Sequence, residues 1–351
     1  MLKPDLLVTI LAMVFFSRTQ MKKAALVASL FCFMITAVSS AAVTVQMMKA
    51  KGVQLQVAFQ YLLANFSGPV ASQWASVSFE QTKGEIYTLN PGLNEIRIFN
   101  FHGMELLRFG DQNDVVPAAD LSGSEGGEIY LLARNFTTHG IQVLNFRGVA
   151  IGNIFPTNLP EEFGYFSPDR LDYLHGNIYL LDSSSMKIVS MDAKGKVRTS
   201  IDLSEKLQNF DRSDGKPEDK GLVTDISGFS VGPDGSIYFT VATLFKAFRL
   251  NLDGTLDAFG LSGSGPGKFG VVSGIVAAEN GAIYVADKLR SVILVFDHMF
   301  RFQGEFGYRG AAPQDLIAPN DLAIDSKQNK IYVSQAANKG VGVYKVNLIV
   351  P

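Results

Sequence analysis

The dipeptide Ile-Tyr recurs six times at nearly regular spacing, and this repeat constrains the fold more than any other feature of the sequence. It begins at Ile86, Ile129, Ile178, Ile237, Ile283 and Ile331, with intervals of 43, 49, 59, 46 and 48 residues. A turn former, glycine in five units and Asn329 in the sixth, stands two residues before each isoleucine. Six matches in register indicate six copies of one structural unit, and the interval is typical of a propeller blade.

Each unit is predicted to contain four short antiparallel strands. The Ile-Tyr strand comes second, and a tight hairpin joins it to the first, because the preceding glycine accepts a positive φ. A third alternating run follows, and in five units it ends in an Asn or Asp that opens a turn, as at Asn100 and Asp192. An outer strand completes the meander. The sequence therefore predicts an all-β fold, a six-bladed β-propeller of four-stranded antiparallel blades.

The sixth unit ends after its third strand, close to the C-terminus. We expect the segment from Val53 to Leu63 to supply the missing outer strand, because apolar residues in it alternate with Gln54, Gln56 and Gln60. Pairing of this N-terminal strand with the last blade would close the ring and remove two open strand edges. A single propeller domain is therefore expected over residues 53–348.

Residues 77–348 resemble NHL-repeat propellers. The stretch from Phe259 to Asp297 contains the family's elements in order: Phe-Gly, a Gly-rich loop, and the strands GIVAAEN, IYVAD and VILVFD. The sequence departs from the family pattern at Ala278, where the family has Asp, and in blades 2 to 4, which lack the Asn-Arg pair after the second strand. The resemblance implies a six-bladed propeller of the bacterial, secreted type. It implies no single activity, because the family includes protein binders, RNA binders and a few enzymes.

The first 41 residues are interpreted as a signal or targeting segment. Met21, Lys22 and Lys23 precede an apolar run and then small residues, which is the order of a secretory signal peptide. Met21 is then the expected start, with cleavage near Ala41 or Ala42. The competing interpretation is an uncleaved membrane anchor, which needs about 17 to 25 apolar residues in one stretch. We expect an exported protein, periplasmic or extracellular, that meets a membrane only if this segment stays uncleaved.

Charge and cysteine content argue against several kinds of partner and site. The chain has 31 basic and 33 acidic residues, and loss of the first 41 residues would leave 27 and 32, a net charge of −5. That balance predicts no basic surface for nucleic acid. The single cysteine, Cys32, allows neither an internal disulfide nor a thiolate zinc cluster.

The sequence offers no familiar catalytic constellation. Three of the four histidines, His102, His175 and His298, are predicted in tight turns, and only His139 is on the face with the longer loops. A three-histidine zinc site therefore cannot assemble. The serines after Leu261 belong to a Gly-rich linker and not to a nucleophile elbow. We predict no catalytic residue and no cofactor.

A metal-dependent hydrolase or lyase, similar to a lactonase, is the alternative function. It would need Glu, Asn and Asp side chains that converge on the mouth of the central channel. Asp225, Asn320 and Asp321, at the starts of inner strands, are the candidate ligands. Asp and Asn at such positions usually cap turns, so the sequence favours the absence of a metal site.

The longer connections between blades supply the candidate binding residues. Segments 155–169 and 203–222 exceed what a turn needs, and loops on a rigid scaffold often bind ligands. Aromatic and basic side chains form the candidate partner-binding set: Phe163, Tyr165, Phe166, Phe210, Lys288, Arg290, Tyr308 and Arg309. Alternatively, the aromatic residues fill gaps between blades and the charged ones are simply solvated. We interpret the chain as a monomeric, non-enzymatic scaffold that presents these loops to a protein, peptide or polysaccharide outside the cytoplasm.

Overall fold

A computed structural model describes residues 45–64, 75–110, 114–208 and 225–349. This part of the chain contains 25 β-strands in six sheets. The predicted targeting segment, residues 1–41, and the candidate residue Phe210 lie outside the described residues.

The strands follow one another along the chain as six meanders. Two strands precede the repeats, β1 (Met47–Lys49) and β2 (Gln54–Leu62). Blade 1 consists of β3 (Ser76–Glu80), β4 (Glu85–Asn90), β5 (Glu95–Asn100) and β6 (Glu105–Phe109). Blade 2 consists of β7 (Ala118–Gly123), β8 (Ile129–Ala133), β9 (Ile141–Leu144) and β10 (Ala150–Ile154). Blade 3 consists of β11 (Arg170–Leu174), β12 (Asn177–Asp182), β13 (Lys187–Asp192) and β14 (Val197–Asp202).

The remaining three blades repeat the pattern. Blade 4 consists of β15 (Gly228–Val231), β16 (Ile237–Val241), β17 (Lys246–Leu250) and β18 (Leu256–Phe259). Blade 5 consists of β19 (Val272–Ala277), β20 (Ile283–Asp287), β21 (Val292–Phe296) and β22 (Phe302–Phe306). Blade 6 has its own strands β23 (Leu322–Asp325), β24 (Lys330–Ser334) and β25 (Val341–Ile349). Neighbouring strands within every blade are antiparallel, so the predicted six-bladed β-propeller is confirmed.

Strand β2 closes the ring as the outer strand of blade 6. It pairs antiparallel with β25, so that Leu55 lies opposite Leu348 and Phe59 opposite Tyr344. The predicted closure by an N-terminal strand is confirmed. The sequence did not predict β1, which pairs with β22 and adds a fifth strand to blade 5.

A hydrophobic cluster fills each of the six gaps between adjacent blades. The gap between blades 5 and 6, for example, contains Tyr284, Ile293, Ile331 and Tyr344. The repeated tyrosine is buried in five blades and half-buried in blade 3. Large aromatic side chains bury much apolar surface, so the repeat that is visible in the sequence is the residue that packs one blade on the next.

Blades 1 and 2 approach each other closely at Gly123, because glycine has no side chain. The ring of Tyr87 in blade 1 lies against the inner strand of blade 2, and a Cβ at Gly123 would stand 2.4 Å from Cε2 of Tyr87. Only glycine fits there without displacing the tyrosine.

The two faces of the ring differ in their connections. On the tight-turn face, short hairpins join first to second and third to fourth strands. In four of the third-to-fourth turns the leading Asn or Asp caps the backbone as predicted; Oδ1 of Asn100, for example, accepts the N–H groups of His102 and Met104, each at 3.0 Å. In blade 4 the cap is Asp253, which accepts the N–H of Thr255 at 2.9 Å. The long-loop face contains the connections between second and third strands and those between blades.

Among the residues that the structure describes, helical structure is limited to these connections. Helix α1 (Phe136–His139) joins β8 to β9, and helix α2 (Ser204–Gln208) follows β14. Single 3₁₀ turns occur at Glu161–Phe163 and Ala242–Leu244. In the described part of the chain, no helix has the length and apolar composition that a membrane crossing needs.

Removal of β2 should open the ring. A chain that begins at Ser67 lacks β1 and β2 and leaves β25 without its outer partner. Because repeat units are stable only against their neighbours, we expect this chain to melt at a lower temperature and over a broader range in scanning calorimetry. A matched chain that begins at Val53 lacks only β1 and should melt close to a chain that begins at Ala42. Equal melting of the Ser67 and Val53 chains would contradict the closure.

Candidate functional site

The inner strands β3, β7, β11, β15, β19 and β23 surround a central channel. At the long-loop face the channel widens into a cavity of about 340 Å³, which we term the long-loop mouth. Its lining combines charged, polar and small residues: Ser76, Pro91, Ala119, Arg134, Asp169, Arg170, Ser227, Gly228, Phe229, Gly274, Lys288, Asn320 and Asp321. Concave sites of this volume on a rigid scaffold are where small groups bind.

Two guanidinium groups are fixed in the mouth by hydrogen bonds. Nη1 of Arg170 donates to the carboxylate of Asp169 at 3.2 Å and to its carbonyl oxygen at 3.0 Å. The Arg170 side chain keeps 36% of its surface exposed, because it faces the open channel. Arg134 donates through Nε to the carbonyl of Ala118 at 3.1 Å and through Nη2 to that of Pro91. Both cations therefore have defined positions before any ligand binds.

Three aspartates join neighbouring inner strands. In each, Oδ2 accepts a backbone N–H from the next blade: Asp120 from Leu171 at 2.8 Å, Asp172 from Val231 at 2.7 Å, and Asp321 from Val77 at 2.8 Å. The other carboxylate oxygen accepts the N–H of the residue that follows the aspartate. Both oxygens of each carboxylate are therefore already used in holding the ring.

Blades 5 and 6 meet without a bridging carboxylate. The N–H of Gly274 donates directly to the carbonyl of Asn320 at 2.5 Å, and Oγ of Ser273 donates to that of Pro319 at 2.9 Å. A Cβ at Gly274 would stand 2.5 Å from the Asn320 oxygen, so glycine is required for this approach. The glycine thus allows a backbone contact where three other junctions use an aspartate.

Burial changes the ionisation of the channel carboxylates. It raises the pKa of Asp172 to about 6, although two backbone N–H groups favour the charged form. Burial, together with the charge of Asp321, also raises the pKa of Asp120. For Asp321, burial raises the pKa although the N–H of Val77 and the Arg170 guanidinium lower it. These carboxylates accordingly retain protons at pH values where exposed aspartates are ionised.

The structure separates the predicted partner-binding residues into buried and exposed sets. Phe163 and Phe166 are buried in the gap between blades 2 and 3, where they pack with Phe136. Arg290 is largely buried and pairs with the carboxylate of Glu305. These three side chains stabilise the blades, and they do not offer a free surface for a partner.

The other described candidates are accessible from the long-loop face. Lys288 lines the mouth, and burial together with the charge of Arg170 lowers its pKa. Tyr165, Tyr308 and Arg309 are exposed on connections between blades. The structure therefore brings Lys288 to the mouth and leaves Tyr165 on one connection between blades and Tyr308 and Arg309 on another.

The candidate metal ligands do not form a cluster. Asn320 and Asp321 line the mouth, whereas Asp225 is an exposed residue before β15. Within the described ranges, no group of three or more His, Cys, Asp or Glu side chains lies close enough together to hold a metal ion. His139 is in α1 at the long-loop face, and the other three histidines are in turns of the opposite face.

Sequence reasoning missed the charged residues that the inner strands bring into the channel. Asp120, Arg170 and Asp172 were not predicted, although the segment Asp169-Arg-Leu-Asp contains a usable signal. Alternation places Arg170 and Asp172 on the same side of β11. Charged residues at alternate positions of a predicted inner strand would have pointed to the channel.

Exposed apolar side chains lie beside the mouth. Leu289, which follows the mouth residue Lys288, is 64% exposed. Val271 is also exposed, and its carbonyl accepts the N–H of Lys288 at 2.9 Å. Other exposed apolar residues on this face are Leu93, Tyr165, Leu261 and Tyr308. We term Val271 and Leu289 the apolar rim.

The pH dependence of stability should report the buried state of Asp172. Its ordinary pKa is near 3.8 and its folded pKa about 6, so the folded chain binds the proton more tightly than the unfolded chain. Stability from this group is therefore full below about pH 4 and is lost as pH rises to about 6. In urea titrations from pH 4 to 7, wild type should lose about 3 kcal/mol relative to Asp172→Asn.

Asp192 provides a control, because its contribution to stability should change with pH in the opposite direction. Backbone N–H groups of Lys196 and Lys194 lower the pKa of this exposed turn carboxylate. Its contribution is present above about pH 4 and is lost as pH falls. The Asp192→Asn variant should therefore lose stability relative to wild type as pH rises, and a trend in the same direction as Asp172→Asn would contradict the assignment.

Comparison with known proteins supports the fold. A family model described as a 6-bladed beta-propeller matches residues 268–347, which form most of the last two blades. Its description names the propeller and not the NHL repeat, so the NHL resemblance stays a prediction. No curated protein matches the sequence.

Solved structures with the same architecture have diverse functions. A streptogramin B lyase is 16% identical, with a TM-score of 0.55 over 84% of this chain and 98% of its own. The calcium-binding protein regucalcin from Agrobacterium tumefaciens is 15% identical, with a TM-score of 0.54 over 82% and 93%. A gluconolactonase from Xanthomonas campestris is 12% identical, with a TM-score of 0.54 over 88% and 93%. At these identities the likenesses show the β-propeller fold alone.

Proposed function

We propose that the chain is a non-enzymatic binding propeller that holds a peptide segment of a protein partner across its long-loop face. The partner is proposed to lie outside the cytoplasm, since the residues after Met21 have the order of a signal peptide. A protein partner is favoured over a polysaccharide because the accessible side chains combine aliphatic groups with fixed cations.

The observation that carries this proposal is the contact between the apolar rim and the charged mouth. Lys288 lines the mouth, and the next residue, Leu289, projects into solvent beside Val271. Exposed aliphatic residues next to a cavity with fixed guanidinium groups suit a peptide with one apolar and one polar side chain. The apolar side chain would cover the rim, and the polar one would enter the mouth.

The connections between blades give this face its specificity. Tyr165 and Tyr308 are exposed on different connections, so their spacing is particular to this chain. Tyrosine contributes a large contact area at a small cost in side-chain entropy. The tight-turn face repeats one capped turn in four blades and offers less variety in shape.

The metal-dependent alternative has less support from the donor atoms. Both oxygens of Asp321 accept backbone N–H groups, and those of Asp120 do the same. The charge of the Arg170 guanidinium acts on both carboxylates and opposes the rise in pKa that burial causes. A divalent cation prefers several uncommitted oxygens, and this arrangement does not provide them.

A selection experiment with displayed peptides tests the proposal. Immobilised protein should enrich peptides from a random library, and the triple variant Tyr165→Ala, Leu289→Ala, Tyr308→Ala should lose at least about tenfold in affinity for them, as expected when interface anchors are truncated. The three side chains are exposed, so the variant should melt with wild type.

A matched triple variant on the tight-turn face provides the control. Phe146→Ala, Leu252→Ala and Met299→Ala remove side chains that are equally apolar and exposed. We expect peptide affinity to be unchanged in this variant. Loss of binding in the control with retention in the first variant would assign the partner to the opposite face.

A further inference from the structure

We propose that the opposite end of the channel binds a small organic cation, an alkylammonium. This end forms a second cavity of about 190 Å³, the tight-turn chamber, between the inner strands. Arg170 and Asp321 line both this chamber and the long-loop mouth, so the two cavities meet at these residues. The proposal does not rest on the peptide-binding function.

An unpaired buried hydroxyl points into the chamber. Ser230 lines the chamber and is only 6% exposed, and its Oγ makes no hydrogen bond to any described residue. Oε1 of Gln81, also in the lining, likewise has no partner among the residues described. A buried polar atom without a partner is costly, so a ligand that donates a hydrogen bond to either atom gains affinity.

The repeat explains why Ser230 is unpaired. It lies opposite the repeated Tyr238, the same register position that Asp172 occupies opposite Tyr179 in blade 3. Asp172 is long enough to accept the N–H of Val231 on the next inner strand. The shorter serine makes no such bridge, and its hydroxyl is left facing the channel.

Negative charge exceeds positive charge around the chamber. Four carboxylates contribute to its lining, those of Asp120, Asp172, Asp321 and Glu279. Arg170 is the single lysine or arginine among the described lining residues. A bound cation would therefore supply charge compensation that the side chains do not, and an anion would be repelled.

The walls of the chamber suit an apolar chain or ring behind the cation. Phe79 stacks on Tyr332 with ring centroids 5.5 Å apart, and Tyr173 stacks on Tyr130 at 5.4 Å. The hydroxyl of Tyr173 donates to Glu125 at 2.7 Å, which fixes that ring further. Aromatic faces attract ammonium groups. A cavity of roughly 150 Å³ holds a benzene-sized molecule, so a linear amine of about six carbons is a suitable size.

Cation binding should become tighter as pH rises. The titratable groups that face Asp172 are Asp120 on β7, Arg170 on β11, Tyr179 on β12 and Asp321 at the start of β23. Burial raises the pKa of Asp172 to about 6, so near pH 6 part of the protein is protonated there. A bound ammonium favours the ionised carboxylate and expels that proton.

Titration calorimetry with three ligands of matched length tests the proposal. Hexylammonium chloride should bind, more tightly at pH 7.5 than at pH 5, and buffers of different ionisation enthalpy should reveal proton release at pH 6. Hexan-1-ol and hexanoate should bind at least about tenfold more weakly, because they lack the charge-assisted hydrogen bond. Equal binding of hexanoate or hexan-1-ol would overturn the proposal.

Variants locate the site within the channel. Ser230→Ala and Asp172→Asn should each weaken hexylammonium binding by about tenfold. Ser230→Ala removes only the unpaired hydroxyl, so it should melt at or above the wild-type temperature. The matched change at the long-loop mouth, Ser227→Ala, should leave binding unchanged.

Two further results would overturn the proposal. One is hexylammonium binding that is insensitive to Ser230→Ala and Asp172→Asn but is lost on the mouth change Ser227→Ala. The other is calcium chloride alone displacing the amine stoichiometrically, which would identify the chamber as a metal site. Neither result would affect the peptide selection at the long-loop face, so the two proposals fail independently.

Discussion

The ring depends on a small number of hydrogen bonds between neighbouring inner strands at the channel. Side-chain packing fills the gaps between the blades, and the inner strands of neighbouring blades make direct polar contacts at the channel. Asp120, Asp172 and Asp321 each reach the backbone of the next blade, and Gly274 lets two backbones meet directly. Buried polar groups are tolerated only when they are paired. The channel exists because these residues pair the N–H groups that line it.

The channel aspartates of this chain serve to hold the fold, and the fold alone is what the chain shares with propellers of known activity. Solved relatives include a lyase, a calcium-binding protein and a gluconolactonase, yet they share under a fifth of their residues with this chain. The channel carboxylates here are already engaged with backbone groups and with Arg170. Fold-level likeness therefore says little about chemistry, and the unengaged groups, such as Ser230 and Leu289, are more informative about binding.

The architecture could be predicted from the sequence because the repeated residues are the ones that pack the blades against each other. Tyrosines such as Tyr284 are both the visible repeat and the residues that fill the gaps, and the alternation in Leu55 to Phe59 marks the closing strand. The site was harder to predict, because an exposed aromatic and a buried one have the same appearance in a loop sequence. Phe166 packs between blades whereas its neighbour Tyr165 is solvated, and only the path of the connection decides between them.

The pairing of β2 with β25 also determines when folding can finish during synthesis. The first strand of the ring to leave the ribosome must wait for the last one, so blade 6 cannot be completed until β25 has been made. A prematurely terminated chain would display two unpaired strand edges, at β2 and at its last complete blade, and such edges promote aggregation. The closing strand thereby makes a chain with a closed ring recognisably different from any product that stops before β25.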